Sequence, residues 1–131
     1  MPKRILIVED EVSVRNAVRT FLEHKSSFEV CGEAVNGVEA LEKASALQPD
    51  LIILDLSMPV MNGVEVASLL RSRMPLIPIV VYTMFDDVLG KSLTSTLGIA
   101  AIVSKPDGLT SLLARIEAIL DSNSWAQLPA N

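Results

Sequence analysis

Four short runs in this chain lack the polar alternation of a strand with one wet face: Ile5-Leu6-Ile7-Val8, Leu51-Ile52-Ile53-Leu54, Ile79-Val80-Val81-Tyr82 and Ala101-Ile102-Val103-Ser104. Runs of this length and composition read as strands of a parallel sheet buried on both faces. A fifth, less uniform strand is expected at about Phe28 to Ala34. Between these strands the apolar period changes to that of helices. Val14, Ala17, Val18, Phe21 and Leu22 form one stripe, with Arg15, Arg19 and Glu23 outside it and His24 suited to the helix end. Asn36-Gly37 starts a second helix with Leu41, Ala44 and Leu47 inward, and Pro49 stops it. A third helix is expected from near Gly63 to near Pro75, and a short, weakly patterned one between Asp87 and Leu97, ended by Gly98. Asp107 is placed to cap a last helix that turns Leu109, Leu112, Leu113, Ile116, Ile119 and Leu120 inward. Strict alternation of strand and helix implies right-handed crossovers with helices on both faces of a single parallel sheet, a doubly wound α/β fold of five strands and five helices.

The 131 residues suit one domain, expected over residues 3–121, with 122–131 a tail or the start of a linker where periodicity vanishes. Trp125 lies in that tail. Half the chain is hydrophobic and only 4% aromatic, so the core is aliphatic. A net charge of -5 without a basic stripe argues against direct binding of nucleic acid. The single cysteine, Cys31, has no internal disulfide partner and reads as a small apolar strand residue. No run approaches the ~20 apolar residues of a membrane span. Arg4, Glu9 and Asp10 bracket a run too short for a signal peptide, so a cytoplasmic location is expected.

The chemistry-bearing residues sit at the ends of the strands. Glu9 and Asp10 follow the first run, Asp55 the third strand, Thr83 the fourth and Lys105 the fifth. In open parallel sheets the ligand crevice lies beyond the carboxyl ends of the strands. Two ionised carboxylates 4 Å apart repel by ~4 kcal/mol at an effective dielectric near 20, so three converging acids need a cation. Hard oxygen donors suit magnesium, which keeps waters and commonly a phosphate oxygen. A lysine and a hydroxyl suit the remaining phosphate oxygens. Phosphoryl transfer is the reaction class this set fits, with Asp55 the candidate acceptor because it precedes the loop Leu56-Ser57-Met58-Pro59. Taken singly, Thr83 is a good strand terminus, an isolated lysine a solvated charge, and Asp86 and Asp87 helix-capping acids.

The ordered set Glu9-Asp10, Asp55 in DLSMPVMNG, Thr83 in VVYT and Lys105-Pro106 resembles the receiver domain of two-component response regulators, over about residues 3 to 121. The resemblance implies a flavodoxin-like strand order of 2-1-3-4-5. It implies that Asp55 accepts phosphate from a phosphohistidine on a sensor histidine kinase or phosphotransfer protein. Asp10 and Asp55 are then expected to bind Mg2+ directly, Glu9 mainly through water, and the backbone carbonyl of Ser57 to complete the protein ligands. Thr83 and Lys105 are expected to contact phosphoryl oxygens, and Pro106 to follow a cis peptide bond. Downstream, the resemblance implies a protein partner or a fused output domain, and a homodimer through the fourth helix, fifth strand and last helix. It implies a signalling domain with its own phosphorylation and self-dephosphorylation chemistry rather than an enzyme acting on other substrates.

Two departures from the family pattern stand out. Ile102 occupies the position three before Lys105 where the family commonly carries a Tyr or Phe that turns inward on activation, so weaker coupling to the output face is expected. By the resemblance, Ser57 and Phe85 stand beside the approach of the hydrolytic water and neither orients it as an acid or amide would, while Met84, bulkier than the family's usual residue there, narrows access, so slow self-hydrolysis is expected. Rival readings fit less well. A haloacid dehalogenase-type phosphatase needs an acid two residues after its nucleophile, where this chain has Ser57, and a flavodoxin would cradle phosphate with a loop rich in Ser, Thr and Gly where this chain has Glu-Asp-Glu.

Overall fold

The computed structural model describes residues 2–56, 63–84 and 97–120. Five strands, β1 (Arg4–Val8), β2 (Glu29–Ala34), β3 (Leu51–Leu54), β4 (Ile79–Thr83) and β5 (Ala101–Ser104), form one sheet in the order β2-β1-β3-β4-β5. Every pairing is parallel. The described helices are α1 (Val12–Lys25), α2 (Gly37–Leu47), α3 (Gly63–Arg73) and α4 (Gly108–Leu120). The expected helix between Asp87 and Leu97 lies outside the described residues except for Leu97, which is helical, and the tail with Trp125 lies outside them too. Gly98 follows with φ +69°, the left-handed conformation in which a glycine ends a helix without a Cβ clash.

The apolar runs are strands because both of their faces are covered. β1 residues Ile5 to Val8 and all of β3 and β4 are buried. Odd and even residues feed two separate cores. Leu6, Val8, Ile52, Leu54 and Val81 pack with α2 and α3 on one side of the sheet. Ile5, Ile7, Ile53, Val80, Tyr82 and Val103 pack with α1 and α4 on the other. Asn36 caps α2 by accepting the Glu39 N–H at 2.9 Å. Helix α2 ends at Gln48, in the left-handed region (φ 48°), one residue before Pro49. The last helix buries Leu112, Ile116 and Leu120, with Leu109, Leu113 and Ile119 half-buried beside them. The α1 stripe is narrower than its period implies: Val18 and Leu22 are buried but Ala17 is exposed.

The bond before Pro106 is trans, since no cis peptide occurs among the described residues, and this corrects the cis bond implied by the resemblance. Lys105–Asp107 form a single 3-10 turn leading into α4, with Pro106 in its first positions. There the fixed φ of a trans proline already matches the helical backbone and its missing N–H costs nothing.

Candidate functional site

At the carboxyl ends of the central strands the backbone ladder continues one residue beyond β1 and β3. The Glu9 N–H donates to the Ala34 carbonyl at 2.9 Å and the Asp55 N–H to the Val8 carbonyl at 3.0 Å. These two bonds hold the Glu9 and Asp55 backbones in sheet register, so both carboxylates emerge on one edge of a rigid element. One carboxylate oxygen from each of Glu9, Asp10 and Asp55 lies within 4.8 Å of the others. Glu9 and Asp55 are each only 4% exposed, whereas Asp10 faces solvent. Three hard oxygen donors at that separation fit a divalent cation of the magnesium type, which completes its octahedron with water.

Lys105 enters from the end of β5. Its Nζ is 2.9 Å from Glu9 Oε1 and 3.7 Å from Asp55 Oδ2. Burial is the main influence on the Glu9 carboxyl and pushes it up; Lys105 pulls it back, the Asp55 charge adds to the rise, and the outcome is a pKa of about 7. Burial alone would lower the Lys105 ammonium, but the Glu9 hydrogen bond and the charges of Asp55, Glu9 and Glu11 outweigh it and hold it above its ordinary value. Glu9 also accepts the Glu11 N–H at 3.2 Å through its second oxygen. Thr83, 1% exposed, ends β4 and pairs across the ladder with Ser104, the residue before Lys105. Glu9, Asp10, Asp55 and Lys105 thus meet as their strand-end positions imply. Ser57 and Phe85 lie outside the described residues, as do Asp86 and Asp87.

Beside Lys105 a groove of about 320 Å³ opens between α1 and α4, with Val14, Ala17, Tyr82, Met84 and Leu109 among its walls. It explains why Ala17, on the apolar side of α1, is not covered. Met84 is 55% exposed at the rim. Ile102 is on the opposite side of the sheet, half-buried against the α2–α3 core.

One contributor to the site escaped the sequence reading. Arg15 falls outside the apolar stripe of α1, yet it folds back over the acidic turn. Its Nη1 donates to the Glu9 carbonyl at 2.9 Å, and its Nε pairs with Glu33 at 2.7 Å. Helical period separates polar from apolar positions but does not distinguish an arginine in water from one spanning two oxygens.

The family model for the response regulator receiver domain matches residues 5–117. Among curated proteins, the chain is 38% identical over 120 residues to the alkaline phosphatase synthesis transcriptional regulatory protein PhoP of Bacillus subtilis (strain 168), covering 92% of this chain and 49% of that protein. It is 37% identical over 110 residues to a protein-glutamate methylesterase/protein-glutamine glutaminase of Halalkalibacterium halodurans, covering 83% of this chain and 32% of that one. The chain therefore spans half or less of the length of these relatives. Among solved structures, a CheY-like response regulator receiver domain protein from Methanospirillum hungatei JF-1 superposes with a TM-score of 0.86 at 25% identity, over 96% of this chain and 99% of that one. Vibrio cholerae chemotaxis protein CheY4 superposes with a TM-score of 0.83 at 30% identity, over 92% and 100%. With its five-stranded parallel sheet in the order β2-β1-β3-β4-β5 and three acids converging at the strand ends, the chain belongs to the receiver domain family of two-component response regulators.

Proposed function

We propose that Asp55 is the phosphoryl acceptor of this receiver domain and that Glu9, Asp10 and Asp55, with the Ser57 carbonyl, hold the magnesium ion that the transfer requires. The observation that carries this reading is the convergence of three carboxylates on one lysine at the strand ends, with the sheet ladder fixing Asp55 in place. An Asp55 oxygen attacks the phosphorus of a phosphohistidine as the P–N bond breaks, and the histidine nitrogen keeps the electron pair. A bound magnesium supplies charge neutralisation for the phosphoryl oxygens. Lys105 then moves from Glu9 to a phosphoryl oxygen, and Thr83 donates its hydroxyl to another.

The donor is a sensor histidine kinase or a phosphotransfer protein, and the groove beside Lys105 gives it an apolar wall next to the acceptor. The relatives include a transcriptional regulator and a methylesterase, so one receiver design serves different outputs. For this chain the output is a downstream protein or a fused domain, reached through the face that includes β5 and α4, which is also where a homodimer would form. Ile102 in place of an aromatic weakens the coupling to that face. Ser57 and Phe85 leave the attacking water without an acid or amide to orient it and Met84 narrows its access, which lengthens the life of the phosphorylated state.

Incubation with acetyl phosphate and magnesium is expected to add one phosphoryl group, and Asp55→Asn to abolish it. Labelling that persists in the variant and maps by mass spectrometry to another residue would overturn the assignment.

A further inference from the structure

We infer that Arg15 is a positioning residue for the cation site: it bridges Glu33 and the backbone of the acidic turn and so fixes where Glu9 and Asp10 present their carboxylates. This rests on the proposed magnesium site. The Arg15 side chain is 14% exposed, low for a helix-surface arginine, and its donors are divided between two elements. Nε reaches Glu33, near the end of β2, at 2.7 Å; Nη1 reaches the Glu9 carbonyl at 2.9 Å and lies 3.5 Å from that of Asp10. The planar fork of a guanidinium can span these directions, whereas a lysine ammonium cannot keep both.

Glu33 is itself held on three sides. Its carboxylate pairs with Arg19 as well as Arg15, and its backbone carbonyl accepts from Lys43. Burial would raise the Glu33 carboxyl, but the hydrogen bonds from Arg19 and Arg15 outweigh it, so it stays ionised. The anchor is therefore rigid and charged. Beyond it, the Glu9 N–H is tied to Ala34, one residue after Glu33. The turn is thus clamped through its carbonyls by Arg15 and through its amide by β2. Groups that orient metal ligands without touching the metal commonly change affinity by about 10- to 100-fold when removed.

The sign of the effect separates positioning from charge. Arg15 is a cation near three acids, and if it acted only through its charge, removing it would tighten binding of a second cation. Positioning predicts the reverse. Magnesium binding is measured by titration calorimetry at pH 8, where Glu9 is ionised, and checked with Mn2+ by electron paramagnetic resonance. Arg15→Met is expected to weaken magnesium binding about tenfold. Arg15→Lys, which keeps the charge, is expected to weaken it too, and Glu33→Gln, which loosens the anchor, by a smaller factor. Arg19→Met removes an equal charge from the same ion cluster but leaves both Arg15 contacts to the acidic turn in place, and is expected to change affinity by a clearly smaller factor than Arg15→Met. Affinity unchanged or tightened in Arg15→Met, or fully restored by Arg15→Lys, would overturn the inference. If Arg15→Met does not fold, unchanged affinity in both Arg15→Lys and Glu33→Gln overturns it equally. A parent protein that binds no magnesium would instead overturn the cation site, and the inference with it.

Discussion

Glu9 sits where its charge is costly: buried, close to Asp55, and offset by Lys105 at 2.9 Å. Its carboxyl is raised from 4.5 to about 7, so the native protein holds this proton more tightly than the unfolded chain does. The stabilisation from that proton is complete below pH 4.5 and is lost as pH rises from 4.5 to about 7. Without a metal, the protein should be less stable at pH 8 than at pH 5 by on the order of 2 kcal/mol, and Glu9→Gln should shrink that difference. Urea melts at the two pH values check this; an equal pH dependence in the variant would assign it to other groups. Glu33 works in the other direction and in another window. Its carboxyl is lowered by Arg19 and Arg15, so its contribution is present above 4.5 and lost as pH falls further.

At the scale of elements, α3 begins in contact with the end of β3. The Gly63 N–H donates to the Leu56 carbonyl at 3.0 Å. A Cβ at Gly63 would overlap the Leu56 Cα and lie 2.8 Å from the Asp55 carbonyl oxygen. Both obstacles are backbone, so no side chain can rotate away, and the helix itself would have to back off from the acceptor strand. Gly63→Ala should therefore destabilise the fold by about 2–3 kcal/mol, despite the better helix propensity of alanine. Its phosphorylation by acetyl phosphate should also slow, because the displaced segment adjoins Asp55. A denaturant melt and a labelling time course on the same preparation measure both; wild-type stability in the variant would show that the contact is slack. At Gly32 a Cβ would be tight only against the Leu47 Cδ1 at 2.7 Å, the end of a side chain that can rotate, so the same substitution there is milder.

For the molecule as a whole, the acidic site trades stability for cation affinity. At pH 8 three carboxylates face one lysine, and removing one relieves repulsion. Asp55→Asn should make the metal-free protein more stable by about 1–2 kcal/mol, with the loss of its 3.7 Å contact to Lys105 keeping the gain small. Magnesium at a hundred times its dissociation constant should stabilise the parent by about 2.7 kcal/mol and the variant by clearly less. Urea melts with and without magnesium give both numbers, and equal stabilisation of the two proteins would count against a site that includes Asp55.

The described strands and α-helices, their sequence order and the strand-end positions of Glu9, Asp10, Asp55, Thr83 and Lys105 were legible in the chain, though not the 3-10 turn Lys105–Asp107, because an apolar run or a helical stripe reports locally which faces of an element avoid water. Only the folded molecule decided that Lys105 reaches Glu9 at 2.9 Å and Asp55 at 3.7 Å, that the bond before Pro106 is trans, that Ala17 borders an open groove, and that Arg15 turns back onto the Glu9 carbonyl. Each depends on distances across the β1, β2, β3 and β5 ends and on how α1 and α4 lie over the sheet. Those distances are set by strand register and helix packing, which couple residues far apart in the chain, whereas periodicity carries information only about neighbours a turn or a pleat away.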